Sequence, residues 1–117
     1  MIVNYTKKNL EMVRGDTLSF GIEISDDEGN LITPDTISFS CKKTYNDDEY
    51  VFQKTLNDGI SLSQEKPNTY IVRVAPADTK NVDLGNYSYD LEIGINGDIF
   101  TVLVGILKIT YEITRGD

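Results

Sequence analysis

The hydrophobic and polar residues of this chain alternate with a period of two along most of its length. From Thr17 to Ser25 nearly every second residue is apolar, and the run from Tyr87 to Ile95 is the most regular. Because successive side chains of a β-strand point to opposite faces of a sheet, this spacing predicts strands that each bury one face. The predicted strands are residues 17–25, 36–43, 50–56, 60–62, 69–75, 87–95 and 99–114.

Clusters of turn-forming residues separate these runs. Asn96-Gly97 stands between two alternating segments, which is the strongest short-range signal for a β-hairpin. Residues 77–81 are the only stretch that favours a helix, and at most a short helical turn is expected there. About seven or eight short strands with almost no helix predict an all-β fold, an immunoglobulin-like antiparallel β-sandwich with Greek-key connections. Residues 1–117 are expected to form one domain.

The segment Leu84-Gly85-Asn86-Tyr87 supports the predicted sandwich. It places a tyrosine at the start of the penultimate long strand, directly after a leucine and a glycine that shape the connection between two sheets. This order is typical of a tyrosine corner, in which the hydroxyl group bonds a backbone group a few residues upstream. For Tyr87 the predicted acceptor lies near Asp83.

The composition excludes several classes of function. Nineteen acidic against eleven basic residues give a net charge of -8, which repels phosphate backbones and anionic membranes, so we expect neither nucleic acid nor membrane as a partner. The single Cys41 and the absence of histidine leave no usual acid–base catalyst and no ligand cluster for zinc. We therefore expect no catalytic residues and no cofactor. The chain begins without a basic and apolar leader, so synthesis in the cytoplasm without a signal peptide is expected.

A resemblance to a known group rests on six segments in order, RGDTLSFGIEI, DTISFSCKK, GISLS, TYIVRVAPADT, LGNYSYDLEIGINGD and FTVLVGILKITYEITR. Together they resemble small immunoglobulin-like proteins and modules of tailed bacteriophages and prophages, including the N-terminal domain of phage baseplate upper proteins. The resemblance covers nearly the whole chain. It implies a structural component of a virion tail or baseplate, made in the bacterial cytoplasm, that contacts other virion or tail proteins or its own copies. Such a component has no catalytic residues.

Two Arg-Gly-Asp tripeptides suggest a rival function, an adhesion or receptor-binding module that uses these segments or exposed loops. The first copy, Arg14-Gly15-Asp16, directly precedes a predicted strand, and this context favours a structural turn. Gly15 would supply an unusual φ angle, and Asp16 would cap the turn with its side chain. The second copy, residues 115–117, follows the last predicted strand and is the better candidate for an adhesive ligand.

Acidic residues gather in turns and on outward strand positions. The clusters at residues 26–28 and 47–49 lack the spacing of a defined calcium loop, so solvated turns are the favoured interpretation and a calcium site is the alternative. Asp90 and Glu92 lie on outward positions of one strand, with no aromatic cleft evident in the sequence around them. This arrangement argues against an enzyme that uses paired carboxylates.

The apolar run that begins at Ile99 is the candidate interface. Alternation places Ile99 and Leu103 on one face and Phe100, Val102 and Val104 on the other. Both faces of this strand are therefore apolar. We predict that Ile99 and Leu103 contact another copy or another virion protein. Two alternatives explain the pattern without an interface. The N-terminal segment or a loop would cover the second face, or Gly105 would form a bulge that exchanges the two faces.

Overall fold

The structure, a computed structural model, describes Val3 and residues 6–114. Regular structure in this part of the chain is almost entirely β, which confirms the all-β prediction, and the one helix overlaps the predicted helical turn. Among these residues, no helix is long and apolar enough to cross a membrane. The elements are β1 (Thr6–Lys7), β2 (Leu10–Val13), β3 (Leu18–Glu23), β4 (Thr36–Lys42), β5 (Phe52–Leu56), β6 (Gly59–Leu62), β7 (Thr69–Val74), α1 (Pro76–Thr79), β8 (Gly85–Ile95) and β9 (Asp98–Thr110).

The strands form one mixed sheet. Neighbours follow the order β1-β9-β8-β4-β5-β6-β7-β3, and β2 also pairs with β9. The pairs β3–β7, β4–β5, β4–β8, β6–β7 and β8–β9 are antiparallel, as predicted. However, β1 and β2 run parallel to β9, and β5 runs parallel to β6. The prediction of a wholly antiparallel sheet is wrong, because the N-terminal strands lie alongside the last strand.

The sheet curls where β5 passes to β6. The short connection contains positive φ angles at Asn57 and Gly59, of 71° and 98°. Because β5 and β6 pair in parallel across so short a connection, the chain steps sideways without reversing its direction. This step moves the chain from the side of β4 to the side of β7. The two halves of the sheet can therefore face each other.

Side chains from both halves of the curled sheet fill one hydrophobic core. Phe39 in β4 is fully buried, and its ring centroid lies 5.6 Å from Phe20, 6.0 Å from Phe52 and 5.4 Å from Tyr89. The contact with Phe20 joins two strands that are far apart in the sheet order. Cys41 is also fully buried, and burial raises the pKa of its thiol to about 12. This thiol therefore stays protonated at neutral pH and is a poor nucleophile.

A β-bulge in β9 changes which of its side chains face the core. In the ladder with β8, Leu91 pairs with Leu103, but the next residue, Glu92, pairs with Thr101. Val102 is therefore an extra residue without a partner in β8. The shift places Leu103 on the core side, where only 7% of its surface is exposed. Ile99, before the bulge, is 64% exposed. The expectation that Leu103 shares an exposed face with Ile99 is therefore wrong.

The N-terminal strands dock on β9 across a notch at Gly105. A Cβ atom at this position would lie 1.9 Å from the Lys8 carbonyl oxygen, so glycine is required there. The same carbonyl accepts a hydrogen bond of 2.5 Å from the Tyr89 hydroxyl, and the Ile106 amide donates to Asn9 Oδ1 at 3.1 Å. The alternative prediction of a bulge at Gly105 is wrong in position, because the bulge of β9 lies at Val102. Gly105 instead admits the backbone of the N-terminal segment.

The predicted alternation breaks at the end of β9. The period of two predicts Tyr111 and Ile113 in the core, but they are 65% and 81% exposed. Between them, the side chain of Glu112 is only 5% exposed, because its carboxylate pairs with Arg14. An ion pair, and not the hydrophobic pattern, therefore decides which side chain turns inward here.

Tyr87 fixes the connection that leads from α1 into β8. Its ring is buried, and its hydroxyl donates to the Asp83 carbonyl oxygen at 2.5 Å. Gly85 has a φ angle of 140°, and Leu84 before it is 43% exposed. The Lys43 ammonium lies 4.5 Å from the centroid of the Tyr87 ring, which is within cation–π distance. The ring is thus held from both its polar end and its face.

Replacing Tyr87 with phenylalanine removes only the hydroxyl and leaves the Asp83 carbonyl without its donor. We expect the free energy of unfolding to fall by about 1 kcal/mol or more. Chemical denaturation of the purified variant measures the change. Tyr111→Phe is the matched control, because Tyr111 is exposed and its change should cost less than about 0.5 kcal/mol. If both variants unfold like the wild type, the Tyr87 hydrogen bond contributes nothing.

Candidate functional site

The first Arg-Gly-Asp tripeptide forms the connection from β2 to β3. Arg14 donates from Nε and Nη2 to the two carboxylate oxygens of Glu112, at 3.2 and 3.0 Å, and from Nη1 to the Val82 carbonyl oxygen at 3.2 Å. Only 20% of the Arg14 side chain and 5% of the Glu112 side chain are exposed. A shielded two-point ion pair of this kind holds the guanidinium against the protein. The geometry favours a structural role for Arg14.

Gly15 and Asp16 complete this turn. Gly15 has a φ angle of 79°, and its amide donates to the hydroxyl oxygen of the buried Thr79 at 2.8 Å. The Asp16 amide donates to the Val13 carbonyl oxygen at 3.0 Å and closes the turn. The first copy is therefore part of the contact between β2, β3 and α1. The second copy, residues 115–117, lies outside the described residues.

The acidic turns use their carboxylates within the turns themselves. Asp26 Oδ1 accepts hydrogen bonds from the Glu28 and Asn30 amides, both at 2.9 Å. Hydrogen bonding, that of the Asn30 amide above all, lowers the pKa of Asp26, and hydrogen bonds from Thr44 lower the pKa of Asp47. In the part of the chain that the structure describes, no three acidic, cysteine or histidine side chains gather as a metal site. The calcium alternative gains no support from these loops.

The remaining candidate residues lie on the side of the sheet that faces away from the core. We call the outward side chains of β4, β8 and β9 the outer face. Hydroxyl and acidic side chains occupy its middle, and apolar side chains follow β9, where Ile99 and Ile106 are 64% and 43% exposed. The outer face comprises Ser38, Ser40 and Lys42 of β4, Ser88, Asp90 and Glu92 of β8, and Ile99, Thr101, Val104 and Ile106 of β9.

A groove of about 280 Å³ lies on the outer face. The connection between β4 and β5 adds Tyr45 and Tyr50 to its wall, and these residues are 83% and 50% exposed. Asp90 lies opposite Val104 in the ladder between β8 and β9. The groove therefore combines exposed aromatic side chains, the apolar side chain of Val104, the cation Lys42 and a pair of carboxylates. This outer-face groove is lined by Ser40, Tyr45, Tyr50, Asp90, Glu92 and Val104, among others.

The carboxylate of Asp90 lies where its charge is unfavourable. Burial raises its pKa most, the Glu92 carboxylate raises it further, and Lys42 acts in the opposite direction. Among the described residues, no hydrogen bond or ion pair within 4.0 Å holds this carboxylate. Lys42 instead places its ammonium 5.1 Å from the centroid of the Tyr50 ring. The groove thus holds incompletely compensated negative charge beside aromatic surface.

The variant Asp90→Asn is expected to be more stable than the wild type at neutral pH. The gain should not exceed about 1 kcal/mol, because the carboxylate is partly exposed and solvent screens its charge. Since the folded-state pKa lies above the ordinary value of 3.8, protonation favours the folded state. The gain should therefore be absent below pH 3.8, where the carboxyl group is protonated in both states, and should grow as the pH rises through the folded-state pKa.

Thermal melts of Asp90→Asn and wild type between about pH 3 and about pH 7 measure this difference. Asp27→Asn is the matched control, because Asp27 is an exposed acid in a turn and its replacement removes the same charge. An Asp90→Asn variant that melts below the wild type at neutral pH contradicts the stated cause of the pKa shift.

A second groove, of about 370 Å³, lies between the open edges of the curled sheet. Its apolar wall residues include Leu10 of β2 and Val102 of β9 from one end of the strand order, and Phe20 and Ile22 of β3 from the other end. Lys8 and Glu23 also line it, and among the described residues they form no ion pair within 4.0 Å of each other. The groove is the gap that remains where β3 does not pair with β1 or β2.

The sequence matches no protein-family model and no curated protein sequence. Among solved structures, the chain is similar to the endo-beta-1,4-mannanase from Thermotoga petrophila, with a TM-score of 0.57 and 15% identity. That match covers 95% of this chain but only 20% of the mannanase chain. The chain is also similar to CopC from Methylosinus trichosporium OB3b, with a TM-score of 0.51 and 12% identity over 91% of this chain and 87% of that one. At such identities the similarity shows the fold alone.

The outer-face groove was only partly visible in the sequence. The alternation in β8 identifies Asp90 and Glu92 as outward residues, and this is how the structure has them. Tyr45 and Tyr50 have no periodic signal, because they belong to the connection between β4 and β5. The expectation that no aromatic cleft lies near the two acids is therefore wrong. The one available signal was the presence of two tyrosines in a short polar connection.

Proposed function

We propose that this chain is a non-enzymatic interaction module of a phage or prophage particle, in its tail or baseplate, and that it acts through the outer face. The observation that carries the proposal is the exposure of Ile99 and Ile106 on one side of the sheet, next to the wall formed by Tyr45 and Tyr50. Exposed apolar and aromatic surface is typical of protein association sites. The setting in a particle rests on the resemblance of the sequence to phage proteins.

The same proposal takes the curled sheet to be an immunoglobulin-like sandwich with Greek-key connections. In support, β4, β8 and β9 are neighbours on one side, β3 and β7 pair on the other, and the Phe20–Phe39 contact joins the sides. The hydrogen bond from Tyr87 to the preceding connection also matches the tyrosine corner of such sandwiches. In this architecture one face of each sheet is free to meet another protein.

The adhesive alternative has less support from the described residues. The Arg14 guanidinium would have to leave the Glu112 carboxylate before it could reach a receptor. The alternative then depends on exposed loops and on residues 115–117. An enzymatic role is not proposed, because the sequence has no histidine and the Cys41 thiol is buried and protonated.

Fractionation of particles tests the proposed function. In the bacterial strain that carries the gene, prophage induction followed by density-gradient purification should place the chain in the particle fraction, as measured by quantitative mass spectrometry. A chain that occurs only in the soluble fraction, while other tail proteins sediment with the particles, would overturn the proposal.

A further inference from the structure

We propose that the outer-face groove binds a basic side chain, arginine or lysine, of a partner protein. This inference rests on the proposed function and names the chemistry of the partner. The groove, at about 280 Å³, lies just below the range of typical small-molecule pockets. A recess of this size on an open sheet face suits one long side chain better than a whole ligand.

The side chains of the groove match a cation with an apolar stem. Asp90 and Glu92 alternate on one strand and therefore project from the same face, roughly 7 Å apart along it. A guanidinium or ammonium group between them would meet both carboxylates. Val104, opposite Asp90 in the ladder, offers apolar surface for the methylene stem, and the exposed Tyr45 ring offers a face for cation–π contact.

The groove already accommodates one cation, Lys42, beside its aromatic side chains. The Lys42 ammonium lies 5.1 Å from the centroid of the Tyr50 ring, yet in the described residues it is not within ion-pair distance of Asp90. Burial raises the pKa of Asp90 most and the Glu92 carboxylate raises it further, while Lys42 opposes the shift. An incoming cation would relieve the repulsion between Asp90 and Glu92.

The net charge of the whole chain acts in the same direction. At -8, the chain repels its own copies and attracts basic partners, so charge complementarity favours a different, basic protein over self-association at this face. Because burial and the Glu92 carboxylate raise the pKa of Asp90, its charged form is also expected to lower the stability of the isolated fold. A group that costs stability alone and gains a counter-ion on binding is typical of a recognition site.

A titration followed by NMR tests the proposal with a defined probe. The probe is the blocked peptide acetyl-Gly-Gly-Arg-Gly-Gly-amide, and its counterpart has citrulline, which has nearly the same shape but no charge, in place of arginine. We expect the arginine peptide to shift the amide signals of Ser40, Ser88, Asp90 and Val104, and the citrulline peptide to leave them unchanged. Equal shifts with citrulline would mean that the groove takes a neutral ligand, and would overturn the proposal.

A pair of double variants separates this groove from the general acidity of the surface. Asp90→Asn with Glu92→Gln should raise the peptide Kd by about tenfold or more. Asp27→Asn with Glu28→Gln removes the same two charges from an exposed turn and should change the Kd by less than about twofold. Similar losses in both variants, or no shifts in the groove of the wild type, would overturn the proposal. Because the titration uses the isolated chain, its failure leaves the particle measurement unaffected, and the two proposals can fail separately.

Discussion

Replacing Arg14 with alanine is expected to lower the free energy of unfolding by about 3 kcal/mol or more. The change removes both hydrogen bonds to Glu112 and leaves a carboxylate that is 5% exposed without this cation. It also removes the donor to the Val82 carbonyl. Urea denaturation measures the loss. Since domains of this size have about 5–15 kcal/mol of stability, the expected loss is a large fraction of the total.

Two further variants define what the Arg14 result means. Arg73→Ala is the matched control, because Arg73 is exposed on β7, and we expect a cost of less than about 0.5 kcal/mol. Arg14→Lys should recover only part of the loss, because an ammonium cannot reproduce the two-point contact. If Arg14→Ala were as stable as Arg73→Ala, the tripeptide would not be a structural turn, and the adhesive interpretation would regain its weight.

A methyl group at position 105 is expected to cost about 2–3 kcal/mol, the upper part of the range for overpacking. The Cβ atom of Gly105→Ala would lie 1.9 Å from the Lys8 carbonyl oxygen, which is backbone and cannot rotate away. The Lys8 amide is itself held by the Val104 carbonyl at 2.9 Å, and the Lys8 carbonyl by the Tyr89 hydroxyl. The N-terminal segment must therefore move away from β9.

Hydrogen exchange locates this effect within the chain. In Gly105→Ala, the Lys8 and Ile106 amides should lose protection, because their acceptors belong to the displaced contact. Gly21→Ala is the matched control, since its Cβ would meet only side-chain atoms, of Thr69 and Ile71, at 3.3 and 3.4 Å. We expect Gly21→Ala to cost less than about 1 kcal/mol. A Gly105→Ala variant with wild-type stability and protection would show that the notch does not hold the segment.

The hydrophobic pattern predicted the strands that have one buried and one exposed face. In β4, Ile37, Phe39 and Cys41 are buried and the residues between them are not, as the alternation requires. The same holds for β8 from Tyr87 to Ile93. For these strands a period of two is sufficient, because the same face stays toward the core along the whole strand.

The pattern failed where another interaction overrides the period. In β9 the extra residue at Val102 exchanges the two faces, and nothing in the apolar sequence marks its position. At the end of the chain, Glu112 turns inward because Arg14, 98 positions away in the sequence, supplies its counter-charge. A bulge and a long-range ion pair depend on the partner strand, so a reading of one strand cannot predict them.

The residues of the candidate site likewise divide into those whose direction follows from alternation along a strand and those whose direction does not. The sequence showed that Asp90 and Glu92 point outward, because both lie in an alternating strand, and it placed Ile99 on the face opposite Phe100 as a candidate interface residue. It placed Leu103 on the wrong face, and it did not bring Tyr45 to the acidic pair. Loop residues acquire their neighbours from the path of the chain between strands, and this path has no periodic signature.

The most direct test of the account compares outer-face variants inside particles. Ile99→Lys with Ile106→Lys places two charges on the outer face, whereas Leu62→Lys places one on β6, where Leu62 is also exposed, at 55%. Both proteins should melt close to the wild type, because all three positions are exposed. Quantitative mass spectrometry of purified particles should then find the double variant reduced by about tenfold or more, and Leu62→Lys near the wild-type level. Full incorporation of a folded Ile99→Lys, Ile106→Lys protein would contradict the claim that the chain acts through its outer face.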